Sequence, residues 1–246
     1  MKKITILIFI VCIGFWQCTK DAAGLATVSG SGGSLARFAI AGNYLYSVDE
    51  RDLKVFDISI PGSPQLQKTV NIGFDVETIY PFKENLFIGS ASRIFIYSVA
   101  DPLNPRKLSE GISPQALRRC DPVVAKDTVA FATLRTNGDC GGSQSTLAVF
   151  DIKDITKPLQ KASFPVTEPY GLGYQDDALY VCDKTGLMIF DISKPYTPAL
   201  KATLRDATNY IDVIPYQGTL ICWVKEGVVM YDISKRFEPR FLAKIL

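Results

Sequence analysis

Val55-Phe56-Asp57-Ile58-Ser59 returns four more times along the chain: Ile96-Tyr97-Ser98-Val99-Ala100, Val149-Phe150-Asp151-Ile152-Lys153, Ile189-Phe190-Asp191-Ile192-Ser193 and Met230-Tyr231-Asp232-Ile233-Ser234. The aromatic positions are spaced by 41, 53, 40 and 41 residues. A period of about 40–45 residues belongs to four-stranded propeller blades. The repeat therefore predicts an all-β, five-bladed β-propeller of four-stranded antiparallel blades.

Working outward from the motif, the first unit divides into four short strands: Leu35 to Ala41, Tyr44 to Val48, Leu53 to Ile58 and Gln65 to Val70. The breaks carry turn chemistry, namely Gly42-Asn43, Asp49-Glu50-Arg51-Asp52 and Pro61-Gly62-Ser63-Pro64. The fourth unit repeats the plan at Gly171 to Gln175, Ala178 to Cys182, Leu187 to Ile192 and Ala199 to Thr203. Five full units end at Arg240 to Leu246, so the last blade needs no strand lent by the N-terminus. A strand from Leu25-Ala26-Thr27-Val28 would reinforce closure.

The 246 residues hold 27 basic and 25 acidic side chains and no histidine. Lys2 and Lys3 lie in the N-terminal leader, so the mature chain is formally neutral, and the basic doublets beyond them, Arg106-Lys107, Arg118-Arg119 and Lys235-Arg236, stand far apart in the sequence. Nucleic-acid binding, which needs clustered positive charge, is not expected. Without histidine, the commonest general base, metal ligand and nucleophile partner is missing. Carboxylate chemistry, calcium bound by oxygen, or no chemistry is what is left.

Met1-Lys2-Lys3 followed by the apolar run Ile4 to Trp16 is a signal pattern, too short to span a bilayer comfortably. Cys18 follows, and then the polar Thr19 to Gly24 and the Gly/Ser-rich Ser29 to Ser34. This resembles a bacterial lipoprotein signal, although Phe15-Trp16-Gln17 replaces the usual aliphatic and small residues before the cysteine. The resemblance implies lipidation of Cys18 and attachment to the membrane by several acyl chains, with a flexible tether beyond. The expected division is 1–17 signal peptide, 18–33 tether and 34–246 propeller. The expected address is the cell envelope, as an outer-membrane lipoprotein; Lys20-Asp21 weakly resembles a surface-export signal.

Asn43-Tyr44-Leu45-Tyr46-Ser47-Val48-Asp49 with Leu53 to Ser59 and Pro64-Gln65-Leu66, and Ala178 to Asp183 with Leu187 to Ser193 and Pro198-Ala199-Leu200, resemble the LVIVD-repeat proteins of bacterial and archaeal cell surfaces. The resemblance extends from Ser34 to Leu246. It implies a β-propeller and no defined activity. Ser98 in the second unit and Phe237-Glu238-Pro239 in the fifth depart from the pattern.

The recurrent Asp57, Asp151, Asp191 and Asp232 are expected to cap the turn that follows each third strand, because a functional site is built once and not four times around a ring. The longer third unit carries an inserted loop, Arg135 to Ser145. In propeller topology, connections from strand two to three emerge on the same face as those leading into the next blade. Cys140 lies in the first kind and Cys120 in the second, so an exported chain is expected to join them in a disulfide worth roughly 3 kcal/mol. Cys182 and Cys222 fall in apolar second strands and are expected as free buried thiols. Neither a metal site nor a cofactor is expected.

That same face gathers the inner-strand starts Arg37, Thr78, Asp121, Gly171 and Asp212, with Glu77, Arg119, Tyr170 and Tyr210 beside them. Arg37, Glu77, Arg119, Asp121, Tyr170, Tyr210 and Asp212 form the expected ligand mouth, suited to a polar protein or glycan partner. The leading expectation is a non-enzymatic binding module. The alternatives are a glycan-binding protein and a glycoside hydrolase using Glu77, Asp121 and Asp212 as carboxylates.

Overall fold

A computed structural model of the protein describes residues 32–90, 93–112, 122–136, 144–207 and 209–245, and the structural statements that follow concern these. Twenty strands form five antiparallel sheets. Blade 1 holds β1 (Phe38–Ala41), β2 (Tyr44–Asp49), β3 (Asp52–Asp57) and β4 (Gln65–Asn71). Blade 2 holds β5 (Val76–Phe82), β6 (Asn85–Ser90), β7 (Arg93–Ser98) and β8 (Arg106–Ile112). Blade 3 holds β9 (Val123–Lys126), β10 (Val129–Leu134), β11 (Thr146–Asp151) and β12 (Leu159–Pro165). Blade 4 holds β13 (Pro169–Gln175), β14 (Ala178–Asp183), β15 (Gly186–Asp191) and β16 (Ala199–Leu204), and blade 5 holds β17 (Tyr210–Tyr216), β18 (Thr219–Val224), β19 (Gly227–Asp232) and β20 (Arg240–Ile245). Every sheet is an uninterrupted meander in chain order, as the repeats require. No helix long and apolar enough to cross a membrane occurs among the described residues.

The same local devices recur in all five blades. The two-residue turns from first to second strand open on a left-handed residue: Gly42, Lys83, Asp127, Asp176 and Gln217, with φ between 47° and 57°. The second turn residue offers its carbonyl to the amide that follows the motif's polar residue, at Ile58, Val99, Ile152, Ile192 and Ile233, with N···O of 2.8 or 2.9 Å. The motif aspartates Asp57, Asp151, Asp191 and Asp232 each accept the amide two residues on, at 2.8–3.0 Å. Ser98 does the same in blade 2, from Ala100 at 3.3 Å, so this departure keeps the turn. At the motif aromatic the third-to-fourth-strand register shifts in every blade, a bulge that sharpens the twist.

Inter-blade packing holds these sheets together. Tyr46, Leu53 and Val55 of blade 1 pack against Ile79, Leu86, Ile88 and Phe95 of blade 2. Comparable cores join blade 2 to 3, 3 to 4 and 4 to 5. Polar links cross the same junctions: Tyr46 donates to the Pro102 carbonyl, Ser109 to Ile155, Thr133 to Tyr170 and Tyr180 to Arg236.

The fifth junction differs. Among the described residues no buried apolar cluster joins blade 5 to blade 1. On β1, Ala39 and Ala41 enter the blade 1–2 core, while Phe38 and Ile40, on the opposite side, are 59% and 43% exposed. On β18, Leu220, Cys222 and Val224 enter the blade 4–5 core, and Trp223 on the other side is 53% exposed. The sequence follows this seam. The fourth residue of the second strand faces the preceding blade as Ile88, Ala132, Val181 and Cys222, but it is Ser47 in blade 1. The third residue of the third strand is Phe95, Ala148, Met188 or Val229, but Lys54 in blade 1, where it pairs with Asp49. Apolar residues recur where a neighbouring blade covers them, and polar ones stand where none does.

Candidate functional site

Across that seam the ring is bridged at its axis by the first described residues. Gly33 and Ser34 are buried among the inner strands, so Gly33, at the end of the sequence-defined tether, packs with the domain. The Leu172 amide of β13 donates to Ser34 Oγ at 2.7 Å, and Ser34 Oγ donates to Asp212 Oδ1 of β17 at 3.4 Å. Asp212 also accepts the Leu35 amide at 3.3 Å and its neighbour Val213's amide at 2.9 Å. Ala36 completes the bridge through its carbonyl, which accepts the Ile79 amide of β5 at 2.8 Å. Burial pushes the Asp212 carboxyl up to about 6, with the donated hydrogen bonds opposing it. Gly32, Gly33 and Ser34 line an axial cavity of about 80 Å³ with Tyr80, Val124, Tyr174 and Pro215.

A second cluster occupies the rim where the inner strands start. The Arg135 guanidinium lies 4.6 Å from the centre of the Tyr170 ring, a cation–π contact between the strand-two-to-three connection of blade 3 and the inner strand of blade 4. This confirms that the two kinds of connection share one face. The Tyr170 hydroxyl donates to Glu168 at 3.0 Å, and Lys184 donates to the other Glu168 oxygen at 2.9 Å. Glu77 is half-buried, and burial raises its carboxyl while Arg135 and Arg37 pull it back down. Arg37 is exposed, reaches the Val76 carbonyl at 3.5 Å, and borders an open depression of about 500 Å³ with Val48 to Asp52. Asp183 anchors the rim from below: fully buried, it accepts the Thr167 and Glu168 amides at 3.0 Å and the Thr185 amide at 2.9 Å.

Arg37, Glu77 and Tyr170 thus meet on one rim, as the sequence places them. Tyr210 does not join them: it is fully buried between blades 4 and 5, its hydroxyl shared with Asp206 at 2.8 Å and Tyr231 at 2.7 Å. Asp212 lies in the axis, enclosed by Gly33, Ser34 and Gly171, and not at the mouth. Thr78 is buried. Arg119 and Asp121, the Cys120–Cys140 pair and Cys18 lie outside the described residues. Cys182 and Cys222 are free and buried, as expected, with thiols raised by burial. Arg135 and Glu168 are the rim residues that the sequence reading did not single out. Arg135 had one signal, its place at the base of the blade 3 insertion.

For chemistry, the rim offers a planar cation stacked on an aromatic ring beside a half-buried carboxylate. Among the described residues no group of three or more metal-ligating side chains converges.

The LVIVD repeat profile matches residues 32–72 and 176–206, which cover blade 1 and most of blade 4; the chain carries LVIVD repeats in both. No curated protein matches the sequence. Similar solved structures include a Lactobacillus plantarum protein (13% identity, TM-score 0.67, covering 82% of this chain and 67% of that one). The Pseudomonas aeruginosa periplasmic gluconolactonase PpgL is also similar (13% identity, TM-score 0.64, 83% and 67%), as is BamB from Moraxella catarrhalis (11% identity, TM-score 0.54, 85% and 62%). At these identities the likeness is one of fold.

Proposed function

We propose that the protein is a non-catalytic binding module of the cell envelope, held to the outer membrane through acylated Cys18. It recognises a polar partner through the rim formed by Arg37, Glu77, Arg135 and Tyr170. One observation carries this reading: Arg135 stacked on Tyr170 beside half-buried Glu77 gives an amphipathic, charged platform on a rigid scaffold. The signal pattern before Cys18 supports the address, and the similar Pseudomonas propeller is described as periplasmic, an address of the same kind.

A glycan is the ligand class that such a platform favours, since an aromatic face and a guanidinium fork suit sugar rings and hydroxyls. Hydrolysis is less favoured. Of its three carboxylates Asp212 is committed to Ser34, Leu35 and Val213. A glycan array probed with the processed chain tests the reading. Retention lost in both Arg135→Ala and Tyr170→Ala, with bound glycan recovered intact, supports it; cleavage products, or binding indifferent to both changes, overturn it. Metabolic labelling with a fatty acid, lost in Cys18→Ala, tests the anchor.

A further inference from the structure

The seam between blades 5 and 1 presents two sheet faces that nothing in the described chain covers. Blade 1 offers Phe38, Ile40, Leu45 and Phe56, and blade 5 offers Ile214, Ile221, Trp223 and Met230; all eight are exposed or half-buried. The equivalents of Leu45 and Phe56 in the other blades, such as Leu86 and Tyr97 or Leu179 and Phe190, are buried. The third residue of the second strand is Tyr46, Phe87, Phe131 or Tyr180, all buried against the next blade, and in blade 5 it is half-buried Ile221. Two half-wet apolar faces opposite each other call for an occupant.

The chain itself points to one. The described residues begin at Gly32, which lines the axial cavity beside Ile214 and Pro215 of blade 5. Ser34 and Leu35 are then fixed to Asp212 on that inner strand, so the polypeptide enters the domain at the inner end of the seam. Four residues upstream of Gly32 stands Val28, the last of Leu25-Ala26-Thr27-Val28, with Gly24 before and Ser29-Gly30-Ser31 after. Four extended steps span about 14 Å, enough to carry the segment from the axis into the seam, where a strand packs about 10 Å from each sheet beside it. Extended, it would turn Leu25 and Thr27 to one side and Ala26 and Val28 to the other, which gives each face an apolar contact.

We infer that Leu25 to Val28 dock as a short strand in the seam between blades 5 and 1 and close the ring. The domain is thereby moored by its own tether, leaving Thr19 to Gly24 as free spacer after Cys18. The inference does not depend on what the rim binds or on whether Cys18 is acylated.

Trp223 is the only tryptophan besides Trp16, so the full chain carrying Trp16→Phe reports on the seam through a single fluorophore. Two readouts are made, hydrogen exchange of the amides of Leu25 to Val28 and acrylamide quenching of Trp223. Docking predicts exchange slowed about 100-fold or more relative to an unstructured peptide, together with shielding of Trp223. The pair Leu25→Asp and Val28→Asp should abolish both while leaving the far-ultraviolet spectrum unchanged. Free exchange at Leu25 to Val28 in the parent chain overturns the inference. So does Trp223 shielding that survives the substitutions, or shielding that rises with protein concentration, which would assign the seam to a second copy.

Discussion

Ser34 and Asp212, 178 residues apart in sequence, meet at 3.4 Å in the axis of the ring. Through that contact the first turn among the described residues reaches the last blade. Asp212 is 9% exposed, and its carboxyl is raised from 3.8 to about 6. A carboxyl with a higher value folded than unfolded binds extra protons in the native state. Its contribution is therefore complete below about pH 4 and is lost as pH rises through 6, a change on the order of 3 kcal/mol. Asp212→Asn should flatten this part of the stability profile. Urea unfolding at intervals between pH 4 and 8 checks it: the difference between parent and variant must move in favour of the variant as pH rises.

Asp191 predicts the opposite slope. Bonds from Ser193 and then Lys201 lower its carboxyl to about 2, so its contribution is present above pH 4 and fades as pH falls toward 2. Asp191→Ala should lower the thermal midpoint at pH 7 more than Asp57→Ala does, because Asp57 accepts the Ser59 amide without a lysine partner such as Lys201, which lies 3.2 Å from Asp191. The gap between the two variants should close in acid. Melting scans at pH 7 and pH 2.5 measure both.

A methyl group at Gly171 would fall 2.0 Å from Asp212 Oδ1 and 3.0 Å from the Asp212 Cα, so backbone as well as side chain would have to move. Gly171→Ala should cost about 2–4 kcal/mol in chemical denaturation. Gly62, whose added methyl meets nothing within 4 Å, is the control and should shift by no more than about 0.5 kcal/mol.

Rim and core separate in a third pair. Tyr210→Phe removes a hydroxyl shared with Asp206 and Tyr231 and should cost about 1–2 kcal/mol of stability without altering ligand retention. Arg135→Ala should do the reverse, since Arg135 is half-buried on the rim and its contact is with Tyr170. Denaturation and binding measured on both variants distinguish the two kinds of residue.

The blade plan was legible because the same local chemistry recurs wherever the motif does. The aspartate that follows the motif aromatic closes the same turn in blades 1, 3, 4 and 5, and Ser98 closes it in blade 2. Side-chain direction on the inner strands was not legible, and bulges are the reason. The register slips between Tyr210 and Asp212, between Val76 and Thr78, and between Pro169 and Leu172. Counting by twos from a strand's first residue therefore fails there, and Tyr210 and Asp212 were assigned to the mouth when one packs in the core and the other in the axis. Arg135 escaped notice because an insertion has no counterpart in the other repeats. The seam was visible only once Ser47 and Lys54 could be set beside their equivalents in known register.

The bridge from Ser34 to Leu172 and Asp212 also decides where a load enters the domain. A pull that reaches Gly32 acts first on blades 4 and 5, at the opposite end of the chain, through Ser34 and Leu35. Force applied there is thus borne as a squeeze across the joint between blades 5 and 1, drawing the two ends of the array toward each other instead of peeling the first sheet away.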